Sequence, residues 1–509
     1  MMSYKLSIKM IKLIFVFALC LNSYAIHLFA QNSFEIGYQT LDDELLYDGI
    51  LDNSGSVVII GSIGDFLETN YDGIVFKVFP DGDYIYRRVV KQDTSCQFGS
   101  ITLLDNGNYM IFGRYAVGDT LQIKDRMLVL ILNPELETVM EKTYRLNNDF
   151  YVLYGLENNT LLDADRNIVY ANERLTPRGG NDYNRDYYFM RFNQQGDTLL
   201  TRGYESWPNV TIGSLRMVPN TDTLMVIGRG YNQNGYQEIL ILDHEFNIIE
   251  SFDISQDGNP SGKQYSDVWL NETEFLMTRN GITDSRKREY YATVSRLNTS
   301  GELLQELILD RPDTTEYIAW DKSMSYRNDS TIYIGVNQSY NTIWEAIPMK
   351  SVVYVIDKDM NLLGRKDLGG DTSYEIFSME ATDDDGCMLF GARYVNSSAP
   401  DRDIYIWKVM REDFEIITRL TDQPAMALNN KAWPNPADDE LHISLDGLPT
   451  GSDFRLQIYS TAGQKFFDKA LTATAGSVQC SIGVLPAGTY VYQLQTTAGE
   501  AGSGTFIKR

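Results

Sequence analysis

The sequence feature that most constrains the fold is a repeat of about 55 residues. A short apolar segment that ends near glycine recurs seven times, and six repeats separate Gly61 from Gly391. The seven segments are VVIIG (57–61), YMIFG (109–113), NIVYA (167–171), LMVIG (224–228), EFLMT (274–278), IYIGV (332–336) and CMLFG (387–391). Short apolar segments at regular spacing, with polar turns between them, are typical of repeated β-structure.

Each repeat continues in the same way. A second strand follows a polar loop of variable length, as in DGIVFKVF (72–79) and DIYIWKV (403–409), and a tight polar turn such as PDGD or NTSGE closes it. With one further strand before and one after, each repeat has four short strands. This pattern predicts an all-β protein with a seven-bladed β-propeller over about residues 34–422. Six or eight blades, a β-solenoid and a string of sandwiches are the alternatives, and the signatures of WD and kelch blades are absent from the sequence.

Both faces of a propeller blade pack on other blades, so its strands are apolar on both sides. In the segment 72–79, alternation places Ile74 and Phe76 on one face and Val75 and Lys77 on the other. A lysine in such a position is expected near the edge of the sheet.

The first thirty residues have the pattern of a secretory signal peptide. Lys5, Lys9 and Lys12 precede an apolar run over 13–21, which is shorter than the roughly 20 residues that cross a bilayer. Cleavage is expected after Ala30, and Ala25 is the alternative. Cys20 would suit a lipoprotein, but a small residue would be expected where Leu19 lies, so a plain secretory signal is favoured. No later stretch reaches transmembrane length.

The charge is strongly negative. The chain carries a net charge of −25, which becomes −28 when residues 1–30 are removed, and −27 of this belongs to residues 31–424. A field of this sign disfavours binding to nucleic acids and to anionic lipid surfaces. Beyond Cys20, the three cysteines Cys96, Cys387 and Cys480 form neither a disulfide framework nor a zinc pattern. Three free thiols are expected, with a Cys96–Cys387 bridge as the alternative.

After residue 430 the composition changes, with more Ala, Gly and Thr and a balanced charge. Alternating strands joined by glycine turns predict a small β-sandwich over about residues 428–509. Four short elements occur in order: PNP (434–436), IYSTAGQ (458–464), LPAGTY (485–490) and FIKR (506–509).

These elements together resemble the type A C-terminal sorting domain of the type IX secretion system. The residues that carry the resemblance are Pro434, Asn435, Pro436, Gly463, Gly488, Tyr490, Lys508 and Arg509. The resemblance implies export through Sec to the periplasm, followed by recognition by the type IX machinery at the outer membrane. It further implies removal of the domain by a sortase-like peptidase, and release of the passenger or its attachment to surface lipopolysaccharide. Asn435 and Gly488 would also shape turns in an ordinary sandwich, which is compatible with recognition.

The sequence contains no catalytic constellation. Beyond residue 30 the only histidines are His244, in a polar turn, and His442, in the sandwich, so a histidine-based triad and a catalytic zinc site are disfavoured. The D-x-D-x-N segments that begin at Asp163 and Asp357 lack the glycine and glutamate of a calcium loop, and are interpreted as turns. A pair of glycosidase carboxylates cannot be selected from 69 acidic residues.

We therefore expect no catalytic, metal or cofactor site. The function that the sequence favours is that of an exported surface or secreted propeller, which binds a protein or glycan through its variable loops. A propeller-type carbohydrate-active or other hydrolase is the first alternative, and a structural surface component is the second.

Overall fold

The structure is a computed structural model of the whole chain. It describes residues 33–40, 42–65, 70–91, 94–117, 124–144, 151–152, 159–179, 182–205, 210–230, 237–254, 264–284, 289–309, 315–320, 322–338, 348–394, 402–416, 432–444, 453–460, 465–472, 477–496 and 501–509. The proposed signal peptide lies outside these residues, as does Gly463. The chain divides into two compact units, Met1–Ile417 and Thr418–Arg509.

The first unit is built almost entirely of short antiparallel strands. In chain order they are β1 (Phe34–Tyr38), β2 (Asp43–Leu51), β3 (Val57–Asp65), β4 (Asn70–Val78), β5 (Tyr84–Val89), β6 (Thr94–Leu103), β7 (Tyr109–Val117), β8 (Lys124–Leu132), β9 (Thr138–Tyr144), β10 (Tyr151–Val152), β11 (Thr160–Leu162), β12 (Ile168–Gly179), β13 (Asp182–Phe192), β14 (Thr198–Glu205), β15 (Val210–Met217), β16 (Leu224–Gly230), β17 (Gln237–Leu242), β18 (Ile248–Asp253), β19 (Gln264–Trp269), β20 (Glu274–Asp284), β21 (Glu289–Asn298), β22 (Leu303–Ile308), β23 (Glu316–Ile318), β24 (Met324–Asn328), β25 (Thr331–Gln338), β26 (Lys350–Ile356), β27 (Leu362–Leu368), β28 (Ser373–Ala381), β29 (Gly386–Tyr394), β30 (Arg402–Met410) and, after a 3₁₀ turn (Arg411–Asp413), β31 (Glu415–Ile416).

In the part of this unit that the structure describes, the strands form seven sheets. Sheets 1 to 5 follow the chain as β2–β5, β6–β9, β10–β14, β15–β18 and β19–β22. Sheet 6 contains β23–β27 with β31 added at its outer edge, and sheet 7 contains β28, β29, β30 and then β1. The all-β class predicted from the repeat is confirmed, with four strands as the common unit.

The chain closes on itself through its first described strand. β1 pairs antiparallel with β30, from Phe34 opposite Lys408 to Tyr38 opposite Ile404. Each sheet contacts the next one along the chain, and β2 of sheet 1 contacts β28, β29 and β30 of sheet 7. Such contacts define a propeller-like ring, in which the first and last repeats are neighbours, whereas the end repeats of an open solenoid are not.

The core of the ring lies between the sheets. One apolar cluster joins sheets 7 and 1 through buried side chains that include Ile36, Ile59, Phe76, Phe390 and Ile406. Another joins sheets 1 and 2 through Val75, Phe98 and Ile111, among others. The outermost strands are mostly exposed, as β18 and β22 show. Strands apolar on both faces are therefore required by the packing of each sheet between two others.

The lysine in the third strand is not at an exposed edge, and that expectation was wrong. Lys77 is buried between sheets 1 and 2, where its Nζ lies 2.9 Å from Asp52 Oδ2 and donates to Tyr109 Oη at 3.0 Å. It also donates to Pro134 O of sheet 2 at 3.3 Å. The burial is possible because a carboxylate and two further acceptors satisfy the ammonium group.

Lys408 repeats this contact at the junction of the last and first sheets. It pairs with Asp384 of its own sheet and donates to Pro80 O of sheet 1 at 3.2 Å. Pro80 and Pro134 occupy corresponding turns, so the junction of sheets 7 and 1 has the same geometry as that of sheets 1 and 2.

The glycine that ends the repeated segment is required for a steric reason. The innermost strand of sheet 1 has a bulge between Leu46 and Asp48, opposite Gly61. A Cβ atom at Gly61 would lie 1.9 Å from Leu45 O, and one at Gly391 would lie 1.8 Å from Glu375 O. The bulge brings the inner backbone so close to the second strand that no side chain fits there.

The second unit has two sheets that enclose one core. Its strands are β32 (Ala432–Trp433), β33 (Glu440–Ser444), β34 (Asp453–Ser460), β35 (Lys465–Thr472), β36 (Ser477–Ser481), β37 (Gly488–Thr496) and β38 (Ala501–Lys508). One sheet has the order β32-β33-β36 and the other β35-β34-β37-β38. Buried side chains from both, including Leu441, Ile458, Cys480, Tyr492 and Phe506, form a single cluster, which gives the predicted β-sandwich.

Candidate functional site

The first candidate site is the edge of the sandwich where the C-terminal strand lies. Asn435 Oδ1 accepts a hydrogen bond from Ile507 N at 2.9 Å, and its Nδ2 donates to Thr505 O at 3.4 Å. Ala437 N donates to Ile507 O at 2.7 Å, and Arg509 N donates to Ala437 O at 2.9 Å. The Pro434–Pro436 segment thus covers the outer edge of β38, and its two prolines, which lack an N–H, are exposed.

The remaining motif residues meet the same strand. Gly488 opens β37 and pairs with Lys508, and Tyr490 pairs with Phe506. The buried Tyr490 ring stacks on Phe506 at 5.5 Å, and its hydroxyl donates to Pro486 O at 2.8 Å. Two segments that are distant in sequence therefore converge on β38, while Gly463 lies outside the described residues.

The ring has two unlike ends. Because consecutive strands of a sheet run in opposite directions, the first-to-second and third-to-fourth connections lie at one end, the turn end. The second-to-third connections lie at the other, the loop end, together with the connections between sheets. Most of the connections at the loop end fall outside the described residues, the longest of them spanning 339–347 and 255–263.

Side chains at the turn end are occupied with the turns themselves. Asp357 Oδ1 accepts from Asn361 N at 2.8 Å and Asp359 N at 3.0 Å, and Asn361 Nδ2 donates to Asp357 Oδ2 at 2.6 Å. Asp163 Oδ1 accepts from Asn167 N at 2.9 Å. The two D-x-D-x-N segments are thus hydrogen-bonded turns. His244 lies in such a turn with 63% of its side chain exposed.

The loop end of sheets 1, 6 and 7 carries a cluster that sequence reasoning missed. We call Glu375, Trp320, Tyr394, Tyr47 and Phe377 the loop-end cluster. The carboxylate of Glu375 accepts hydrogen bonds from Trp320 Nε1 and Tyr394 Oη. The aromatic rings of Tyr47, Phe377 and Tyr394 belong to one buried apolar group, against which the partly exposed Trp320 packs. No signal along the chain could have found this cluster, because Trp320 and Glu375 belong to different repeats.

The electrostatics of this cluster act on Glu375 in opposite directions. Burial raises the pKa of the Glu375 carboxyl, while the hydrogen bonds from Tyr394 and Trp320 and the Arg402 charge oppose that shift. Arg402 Nε itself donates to Asp43 Oδ1 at 2.7 Å. Asp403 accepts from Gln39 Nε2 at 2.7 Å and from Arg393 Nη2 at 3.2 Å. In the described part of this end, the carboxylates beside Glu375 are therefore held by cations.

A second polar group lies on the innermost strands. Asp48 Oδ2 accepts from Ile101 N of sheet 2 at 3.1 Å, and Oδ1 accepts from Gly49 N at 2.8 Å. Burial raises the pKa of Asp48 to about 6, although the Lys322 charge lowers it. Lys322 forms an ion pair with Glu380. These carboxylates hold neighbouring sheets together.

Metal and membrane features can be stated for the described residues alone. There, no group of three or more His, Cys, Asp or Glu side chains is arranged to hold a metal ion. Cys96, Cys387 and Cys480 are buried free thiols. Across those same ranges, no helix has the length and apolarity needed to cross a bilayer.

Similarity to solved structures is distant. A protein of unknown function from Dyadobacter fermentans gives a TM-score of 0.45 at 9% identity, covering 74% of this chain and 98% of its own. The acylaminoacyl peptidase of Pyrococcus horikoshii gives 0.41 at 10% identity, and 81% of this chain spans only 59% of that enzyme. The NanB sialidase of Streptococcus pneumoniae gives a TM-score of 0.39 at 10% identity, and the match covers 76% of this chain and 71% of that enzyme. No curated protein matches the sequence.

The C-terminal unit has a clear relative. Residues 431–508 match the family described as the secretion system C-terminal sorting domain. The match spans the sandwich and includes every motif residue from Pro434 to Lys508, so the resemblance predicted from the sequence is confirmed. Residues 431–508 are thus a type IX secretion sorting domain, which directs this all-β, propeller-like protein to the cell surface or to secretion.

Proposed function

We propose that the exported ring is a non-enzymatic binding protein, which takes a protein or glycan ligand at its loop end. The observation that carries this proposal is the contrast between the two ends of the ring. Asp357 and Asp163 at the turn end are hydrogen-bonded within their own turns, whereas the loop end holds the aromatic and carboxyl groups of the loop-end cluster. Aromatic rings with a polar edge are well suited to recognition, because they offer apolar area at low entropic cost.

The described carboxylates support binding more than hydrolysis. A glycosidase needs a second carboxylate about 5–10 Å from its acid, free to act as nucleophile or base. Asp43 and Asp403 are instead paired with Arg402 and Arg393. A hydrolase remains the second candidate, because burial raises the pKa of Glu375, and an upward shift is the direction that a general acid needs.

The route to the surface is proposed in the same terms. A signal peptide over residues 1–30 would direct the chain to Sec, and the sorting domain of about residues 428–509 would then engage the type IX machinery. Removal of that domain by a sortase-like peptidase would leave the ring of about residues 34–422 released or attached to lipopolysaccharide. The supporting observation is the division of the chain into two compact units near residue 417.

A paired substitution tests the binding proposal. Trp320 and Tyr326 are aromatic residues of sheet 6 near its loop end and its turn end, respectively. The purified full chain is applied to an array of bacterial and host surface glycans and proteins, together with Trp320→Ala and Tyr326→Ala. We expect saturable binding that weakens at least about tenfold in Trp320→Ala and stays unchanged in Tyr326→Ala.

Two results would contradict the proposal. Equal loss of binding in both variants would place the ligand elsewhere. Hydrolysis of an array glycan by the wild type that is abolished in Glu375→Gln would identify an enzyme. If no component of the array binds, the structural surface component becomes the favoured function.

A further inference from the structure

The interface of sheets 4 and 5 has an apolar core. Met225 and Ile227 of β16 and Phe275 and Met277 of β20 belong to one buried cluster between these sheets. On the other face of β20, Thr278 bonds with Ser323 of sheet 6 at 2.7 Å. Side chains alternate along a strand, so the residue after Thr278 faces sheet 4 again.

That residue is Arg279, and it is buried without a partner. Its exposed fraction is 5%, and its Nε and Nη2 have no hydrogen-bond partner among the described residues. Burial lowers the pKa of Arg279 to about 10, so the guanidinium stays charged at neutral pH. The charge of Glu306 opposes this shift, but the Glu306 carboxylate accepts no hydrogen bond from Nε or Nη2. Burial of a charged group without hydrogen-bond acceptors is costly.

Arg365, another buried arginine, shows the contacts that Arg279 lacks. Arg365 lies 3.6 Å from Glu316 and 2.5 Å from Asp367, and it donates to Tyr354 Oη at 3.0 Å. The chain has 69 acidic residues against 44 basic ones, so carboxylates are abundant. Among the described residues, by contrast, no carboxylate accepts from Arg279 Nε or Nη2, which leaves this edge available to an acceptor from outside the chain.

The free atoms define the shape of that partner. Nε and Nη2 form one edge of the guanidinium, and their two N–H groups point the same way, as a carboxylate accepts them in a bidentate pair. Neutral polar side chains flank the position. Thr293, opposite Arg279 in the sheet, is buried, and so is Gln237, which by alternation lies on the face of β17 that packs on sheet 5. The carboxylate whose charge acts on Arg279 is that of Glu306, which lies on the exposed outer strand β22.

We propose that Arg279 is a ligand-binding residue at the loop end, whose Nε–Nη2 edge takes the carboxylate of an acidic ligand such as a sugar acid. The proposal rests on the proposed function, because it gives the chemical class of a group that binds at the same end of the ring. It also accounts for the unsatisfied edge of Arg279 in the unliganded protein, since the ligand carboxylate supplies the acceptors that Nε and Nη2 lack.

Thermal melting of the full chain tests this directly. Sodium glucuronate, sodium acetate and glucose are titrated at constant ionic strength into the wild type, Arg279→Gln, Arg279→Lys and Arg296→Gln. We expect glucuronate to raise the wild-type Tm saturably by several degrees, with no effect of glucose. The shift should vanish in Arg279→Gln and weaken in Arg279→Lys, which keeps the charge but loses the fork.

The unliganded proteins give a second readout. Arg279→Gln should melt no lower than the wild type, because a buried charge with two unsatisfied donor nitrogens is removed. Arg296→Gln, which breaks an ion pair with Glu274 in the same sheet, should melt lower and keep the glucuronate shift. A response to acetate equal to that of glucuronate would identify a small carboxylate as sufficient, and a larger glucuronate response would show that the sugar contributes.

The proposal is overturned if glucuronate and acetate leave the wild-type Tm at the chloride control, or if the shift persists in Arg279→Gln. It is also overturned if both Arg279 variants melt well below the wild type, because Arg279 is then a structural residue. Binding that still depends on Trp320 in such a case would leave the proposed function intact.

Discussion

Asp48 illustrates how a single buried carboxyl makes the stability of the ring depend on pH. Its folded pKa is raised from 3.8 to about 6, chiefly by burial. The folded state therefore binds a proton more tightly than the unfolded state, and stability falls as pH rises from about 4 to about 6. Above pH 6 the loss is complete, and two pKa units correspond to about 3 kcal/mol.

The variant Asp48→Asn removes this titration and keeps one acceptor. We expect its free energy of unfolding, relative to the wild type, to improve by about 2 kcal/mol between pH 4 and pH 7. Urea unfolding at pH 4, 5, 6 and 7 measures the difference. A difference that does not change with pH would mean that Asp48 keeps an ordinary pKa in the ring.

Asn435 is the residue that ties the sorting motif to the last strand. Asn435→Ala loses both hydrogen bonds to β38, and we expect the sandwich to lose about 1–2 kcal/mol of stability. Gly488→Ala is the matched control, because a Cβ there would meet only Tyr490, at 3.7 Å. Chemical unfolding of the sorting domain in the full chain, followed by tyrosine fluorescence, compares the two. Equal losses would show that the Asn435 contacts add nothing to the fold.

At the scale of the element, the residue that fits in the second strand of each repeat depends on how closely the bulged inner strand approaches it. Gly61 lies against backbone atoms, which cannot move aside, so Gly61→Ala should destabilise the ring by about 3 kcal/mol or more. Gly335 also lies in the second main strand of its sheet, one position before the residue that corresponds to Gly61, and the nearest atoms to its Cβ would be side-chain atoms at 3.4 Å. Gly335→Ala should therefore cost less than about 1 kcal/mol.

Thermal melting of both glycine variants checks this contrast. If Gly335→Ala proved as destabilising as Gly61→Ala, the glycine would be required by the strand itself and not by the bulge.

At the scale of the whole molecule, ring closure rests on a strand from the opposite end of the chain. A chain that begins at Gln39 lacks β1 and exposes β30 together with the cluster around Phe76 and Ile406. We expect it to lose more than about 3 kcal/mol of stability or to aggregate, since buried apolar area and an unpaired edge become accessible. A chain that begins at Ser33 is the control, and calorimetry is the measurement. Equal melting of both would contradict closure by β1.

Export depends on the other end of the molecule. Deletion of residues 428–509 should leave a folded ring that stays in the periplasm, because the sorting domain carries the recognition and forms a separate compact unit. Cell fractionation with protease protection of the truncated and full-length chains decides this. Surface delivery of the truncated chain at the full-length level would falsify the prediction.

The sequence alone determined the features that depend on local pattern. Alternating apolar segments, polar turns and a regular spacing require repeated short strands whatever their arrangement, so the all-β class followed from 57–61 and its six counterparts. The sorting domain followed likewise, because its motif residues occur in a fixed order along the chain. The role of Asp357 as a turn residue also follows from its neighbours, to which its side chain bonds.

Tertiary structure decided what depends on distant partners. The burial of Lys77 could not be read from its strand, because Asp52, Tyr109 and Pro134 provide its contacts. The loop-end cluster joins Trp320 to Glu375 across two sheets, and no spacing along the chain encodes that distance.

The turns show both levels at once. Gly82, Gly196 and Gly301 adopt a positive φ in three of them, as turn chemistry predicts. In three others, Leu136, Phe246 and Met360 adopt the same backbone, with φ of 64°, 63° and 60°. Their side chains are buried in the clusters between sheets, and this apolar contact offsets a conformation that the residues themselves disfavour. Local sequence therefore specified a turn at each position, and packing between repeats specified which side chain could occupy it.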